Sequence, residues 1–127
     1  MTELLEKDLV YKIVGCAIAV HNELGHGLRE KTYERALCVE FNCQGIKYSQ
    51  QTKYPVFYRN EKVDEYVPDL EVENKVIVDT KTIEAITDEE RGKMLNYLRV
   101  TKLKVGLIIN FKHPKLEWER LVLDTAR

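Results

Sequence analysis

The period of the apolar residues switches at Ile46, and that switch constrains the fold of this chain more than any other feature of it. Upstream, Leu5, Leu9, Ile13, Cys16, Ala17, Val20 and Leu24 recur at helical spacing and predict an amphipathic helix from Glu3 to about Leu24, ended by Gly25-His26-Gly27. A second helix is expected from about Glu30 to Gln44, closed by Gly45, with Tyr33, Leu37 and Phe41 on one stripe and Glu30 at its N-terminal end. Downstream the pattern becomes extended. Residues 46–50, 54–58, 63–72 and 75–80 read as strands separated by polar turns at Arg59-Asn60-Glu61 and Glu73-Asn74, and the close spacing of the last three predicts an antiparallel meander. Thr87-Asp88-Glu89-Glu90 has the form of a capping box and opens a third helix to about Val100. Residues 104–111, KVGLIINF, read as a buried strand, and residues 116–123 as a last, edge strand. The order ααββββαββ predicts an α/β or α+β arrangement, a mixed β-sheet flanked by helices.

A chain of 127 residues is expected to form one domain, residues 1–127. With 44% hydrophobic and 32% charged residues it has the composition of a soluble globular protein, and disorder is not expected. The apolar run at residues 13–20 is too short to span a bilayer and follows acidic residues, so no membrane association and a cytoplasmic location are expected. Cys16, Cys38 and Cys43 lack the close spacing of a zinc knuckle or redox pair and are expected to be buried or half-buried reduced thiols. The formal net charge of −1 argues against strong nonspecific nucleic-acid binding, while residues 99–127, with 7 basic and 3 acidic groups, keep a nucleic-acid partner open.

The stretch VPDLEVENKVIVDTKTI, residues 67–83, carries the chemistry. Residues two apart on a strand share a face, so Asp79 and Lys81 point together with Ile77, and a turn at Glu73-Asn74 returns Asp69 alongside on the neighbouring strand. Two carboxylates then meet near one ammonium. Such a cluster suits a hard divalent cation, since Mg²⁺ takes oxygen ligands at about 2.0–2.1 Å and is commonly held by one or two carboxylates plus phosphate. A metal there acidifies bound water, and a nearby lysine stabilises charge developing on a phosphoryl group. The bland alternative is a solvated ion pair worth about 0–1 kcal/mol. Glu30 likewise reads as an acidic residue favoured by the dipole of its helix.

The segment GLREKTYERAL, residues 27–37, fits the pattern G-x-x-E-x-x-Y, and the chain resembles the GxxExxY family of small bacterial and archaeal proteins named after it. VHNELGHG before it, PDLEVENKVIVDTKTIEAI after it and LNYLRVTKLKVGLIINF near the end resemble the same family in the same order. That family is assigned to the PD-(D/E)xK nuclease-like superfamily, which implies a restriction-endonuclease-like core. The resemblance implies Asp69, Asp79 and Glu30 as ligands of Mg²⁺ or Mn²⁺, with Lys81 as the catalytic lysine. Tyr97 matches the tyrosine of a Q-x-x-x-Y pattern on the third helix, where Lys93 stands in place of glutamine. Asp79 replaces the glutamate more usual in the family, and His26 the proline between the two glycines. Lys93, Tyr33 and His21 are the expected substrate-side residues, although His21, near the end of the first helix, also suits capping or packing there. Trp118 and the tyrosines at 48, 54, 58 and 66 are expected in the core or on the sheet surface. The implied activity is metal-dependent hydrolysis of nucleic-acid phosphodiesters, DNA before RNA. The alternative is a catalytically weak or inactive nuclease-fold module that binds nucleic acid or a protein partner, or pairs as a homodimer.

Overall fold

The computed structural model describes residues 5–123. Two helices come first, α1 (Lys7–Leu24) and α2 (Glu30–Gln44). The start expected at Glu3 lies outside the described residues, but Leu5 and Glu6, also expected in the helix, form a turn, with Glu6 at a left-handed φ of 55°, so α1 begins at Lys7. Each helix stops where a glycine takes a backbone conformation that costs other residues more. Gly25 has φ 74° and donates its N–H to the His21 carbonyl, and Gly45 has φ 71° and precedes an Ile46 N–H that reaches back to the Phe41 carbonyl at 2.9 Å.

Five strands follow, where four were expected: β1 (Tyr48–Gln50), β2 (Tyr54–Tyr58), β3 (Glu61–Tyr66), β4 (Leu70–Val72) and β5 (Val76–Lys81). The segment expected as one strand over residues 63–72 divides at Val67-Pro68, because proline has no N–H for a ladder. Its two halves join different sheets. β2 and β3 form a two-stranded hairpin of their own, turned through Arg59 and Asn60 at φ 49° and 66°, while β4 pairs with β1 and β5. The expected three-strand meander is therefore two hairpins. The second turns at Glu73 and Asn74, with left-handed φ values of 55° and 57° and the Lys75 N–H on the Val72 carbonyl at 2.9 Å, and Lys75 is one extra residue before Val76 pairs with Val72.

The capping box expected at Thr87 and Glu90 starts α3 (Asp88–Thr101), which carries the chain over to β6 (Val105–Asn110), parallel to β5. Edge strand β7 (Glu117–Val122) pairs antiparallel with β6, so the main sheet runs β1-β4-β5-β6-β7. This is the mixed sheet flanked by helices that the sequence predicts, with a restriction-endonuclease-like arrangement. The core on one face joins Val10, Ile13, Ala17 and Val20 of α1 and Tyr33, Leu37 and Phe41 of α2 to Val76, Val78, Leu107 and Ile109. On the other face α3 contributes Met94 and Leu98 to a smaller cluster with Ile77 and Ile108. Cys16 and Cys38 are buried free thiols, and Cys43, expected to be at least half-buried, is exposed.

Candidate active site

Strand pairing builds the centre of the site. Asp69 stands one residue before β4 and Asp79 near the exit of β5, and the register that pairs Leu70 with Val78 sets the two side by side. They hold each other through the backbone. The Asp69 N–H donates to the Asp79 carboxylate, while Asp69 Oδ2 accepts the Thr80 N–H at 3.0 Å and the Thr80 hydroxyl at 3.1 Å. Asp79 is 6% exposed, and its carboxyl is pushed up to about 6, first by burial and then by the charge of Asp69, with Glu30 adding and Lys81 opposing. Asp69 is also raised, chiefly by burial, against the pull of the Thr80 hydrogen bonds. Lys81, two residues on, shares the Asp79 face of the strand and is half-buried.

The loop leaving β5 is pinned on both sides. Glu30, the first residue of α2, accepts the Thr82 N–H on Oε2 at 3.2 Å. Asn110, fully buried at the end of β6, accepts the Ile83 N–H at 3.0 Å and donates to the Ile83 carbonyl at 2.8 Å. The Phe111 N–H reaches the Lys81 carbonyl at 2.9 Å.

The expected convergence of three carboxylates on one point needs correction. Among the described residues no three of His, Cys, Asp and Glu are grouped so that they could hold a metal ion. Backbone N–H groups at the strand end, left without ladder partners, take up the carboxylates instead: Asp69 turns to Thr80 and Glu30 to Thr82. What stands at the end of β5 is an Asp69–Asp79 pair with Glu30 alongside. The donor chemistry of that pair still fits a hard divalent ion, which needs only one or two carboxylates when water and phosphate fill the other positions. The Asp79 carboxyl is raised first by burial, and the Asp69 charge beside it adds to the shift, a repulsion that a cation between the two would relieve.

Tyr97 lies beside this pair, its phenol raised by burial and by the charge of Asp79. Its ring meets Tyr66 edge-on, with centroids 3.9 Å apart, and the Tyr66 hydroxyl donates to the Lys93 carbonyl at 3.2 Å. The Lys93 ammonium itself points along α3 to Glu89, at 3.5 Å. Tyr33 is fully buried, stacked on Phe111 at 4.5 Å, and its hydroxyl donates to the Gly25 carbonyl at 2.7 Å and accepts the Leu28 N–H at 3.2 Å. It therefore shapes the loop that delivers Glu30 and offers no surface to a substrate. His21 is also buried; its Nε2–H donates to the His113 carbonyl at 2.9 Å, tying α1 to the turn after β6. The packing role weighed for His21 describes this placement, and the substrate-side role does not.

Three residues at the site escape the sequence reading. Tyr66, expected only in the core or on the sheet surface, joins the β2–β3 hairpin to α3 beside Asp79. Asn110 is a polar residue inside the apolar run KVGLIINF, a signal in itself, because a buried amide must find partners. Glu34 follows Glu30 by four residues, so the two share a helix face, and it is 2% exposed.

A sequence profile described as the PD-(D/E)XK nuclease superfamily matches residues 7–121 of the chain. The chain belongs to this superfamily. The matched span runs from the first helix to the penultimate residue of β7 and so includes Glu30, Asp69, Asp79 and Lys81. No curated protein and no solved structure gives a significant match. Among the described residues no helix is long and apolar enough to cross a membrane.

Proposed function

We propose that this PD-(D/E)XK protein, a member of the GxxExxY type, hydrolyses phosphodiester bonds of DNA with Mg²⁺ or Mn²⁺. The observation that carries the reading is the Asp69–Asp79 pair at the end of β5, with the Asp79 carboxyl raised to about 6 and Lys81 on the same strand face. Asp69 and Asp79 are the residues that would hold the ion, with Glu30 as the adjoining carboxylate. When bound, such an ion acidifies water and neutralises charge on a phosphoryl group. Lys81 holds a positive charge toward the phosphate oxygens and orients the attacking water. Glu30 and Asn110 keep the loop after Lys81 in place, which limits the freedom of the lysine backbone. Tyr97 and Tyr66 wall the pair from α3 and the hairpin, and exclude water from one side of it.

Lys93 sets the expected strength of the activity. A lysine contacts phosphate as a point charge and can only donate to a water, whereas glutamine both donates and accepts and so fixes a water's orientation more fully. Cleavage is accordingly expected to be weak, with Lys93→Gln raising it without tightening binding. The test is cleavage of single- and double-stranded DNA, and of RNA, with Mg²⁺ and with Mn²⁺, alongside calorimetric titration of Mn²⁺. Metal-dependent cleavage that Lys81→Ala removes supports the reading. Mn²⁺ binding that Asp79→Asn abolishes, without cleavage of any substrate, hands the site to the binding-module alternative. No binding and no cleavage overturns both.

A further inference from the structure

Glu34 is a buried carboxylate that nothing in the proposed chemistry uses. From the first turns of α2 it points into the site, where Oε2 accepts the side-chain amides of Gln50 at 2.9 Å and Gln51 at 3.0 Å, and Oε1 accepts Lys31 Nζ at 3.1 Å. Gln50 ends β1 and Gln51 follows it at φ 56°, so the carboxylate clamps a left-handed corner that an extended strand would not form unaided. The Gln51 backbone N–H then donates to the Asp69 carbonyl at 3.1 Å. Asp69 is in this way held on three sides: its carbonyl by the Gln51 corner, its N–H by Asp79 and its carboxylate by Thr80. The last two contacts come from the neighbouring strand, and the first depends on the corner that Glu34 clamps.

We propose that Glu34 is a positioning residue for Asp69, acting through the Gln50–Gln51 corner, and that it sets the affinity of the Asp69–Asp79 pair for a divalent cation. The role rests on the nuclease reading for its consequence but not for its geometry. The charge of Glu34 also bears on Asp69, adding to the negative potential a cation meets there. The two contributions separate by substitution. Glu34→Gln removes the charge and keeps an oxygen for the glutamine amides, whereas Glu34→Ala removes both.

Two readouts test it. The first is amide hydrogen exchange with chelator present, followed at Thr80, whose N–H is held by Asp69, and at Ile108 in the neighbouring strand. Glu34→Ala should speed exchange at Thr80 by about tenfold, the loss of one charge-assisted contact, and leave Ile108 unchanged. Glu34→Gln should restore most of the protection. Should Glu34→Ala not fold, Gln51→Ala removes one arm of the clamp from the exposed side and should act in the same direction more weakly. The second readout is Mn²⁺ affinity by calorimetry, expected to fall about 10- to 100-fold in Glu34→Ala, as it does when an outer partner of a metal ligand is lost. Unchanged Thr80 exchange, or equal acceleration at Thr80 and Ile108, overturns the proposal. Wild-type protein that binds no Mn²⁺ removes the nuclease reading, and the exchange experiment still decides the role of Glu34.

Discussion

The two faces of β5 differ in what covers them. Val76 and Val78 lie under α1 and α2, in a core that also takes in Phe41, Tyr33 and four alternate apolar residues from Val105 to Phe111. Among the described residues Ile77, one residue away, shares its buried cluster with just Met94, Leu98 and Ile108, with Leu95 and Tyr97 partly covering it, and by Asp79 and Lys81 that cluster has ended. A strand buried on both faces along its whole length would read as apolar throughout. Here the α3 face runs out of apolar cover before the strand does, and the charged pair occupies the remainder. The stability of the domain thus resides mainly on one face of the strand, while the other gives up some of its burial to the site.

The largest effect expected from this asymmetry is on the helical face. Phe41→Ala should cost about 3–5 kcal/mol in urea denaturation, since it empties a fully buried site between helix and sheet. Met94→Ala, in the smaller cluster, should fall at the lower end of the range of about 2–5 kcal/mol for such a truncation. Equal losses from the two variants would break the comparison.

The next effect has the opposite sign. With its carboxyl raised from 3.8 to about 6, Asp79 binds a proton in the folded state that the unfolded chain has already released. Between those values the folded state holds more protons, so stability falls as pH rises through the window. In chelator, Asp79→Asn should therefore raise stability at pH 7 by about 2–3 kcal/mol and flatten the slope between about pH 4 and pH 6. It should also remove the rise in melting temperature that Mn²⁺ produces in the wild type by binding the folded state. A destabilised Asp79→Asn protein would mean that the site-bearing face contributes to stability in the same way as the helical one.

The smallest of these effects probes how closely α3 is seated. A Cβ added at Gly106 would overlap Met94 Sδ and Cγ, so Gly106→Ala should cost about 1–3 kcal/mol by overpacking. Because the overlapping atoms belong to a flexible side chain, the double variant Gly106→Ala with Met94→Leu should recover part of that loss. Failure to recover any of it would place the strain in the backbone of β6 rather than under α3.

Local chemistry was legible in the sequence wherever it depends on neighbours along the chain. The end of the first helix at Leu24, the glycine stops at Gly25 and Gly45, the Thr87–Glu90 capping box and the Glu73-Asn74 turn are all short-range, and each stands where the pattern puts it, whereas the helix begins at Lys7, later than the repeat predicts. The Glu73-Asn74 turn brings Asp69 back toward Asp79, but their pairing rests on a third residue, Lys75, between the paired Val72 and Val76; a strict two-residue turn would set Asp69 opposite Val78. What the tertiary structure decided lies at longer range. The pattern carries one strand through Pro68, and only the assembled sheet shows that it breaks there and that β4 pairs with β1 and β5, away from the β2–β3 hairpin. The direction of the Glu30 carboxylate depends on an unpaired N–H at Thr82, 52 residues away, and the burial of Tyr33 and His21 depends on Phe111 and His113. No periodicity encodes such pairings: a carboxylate or ring turns to whichever partner packing brings within reach, and that partner exists only once the sheet and helices have closed around it.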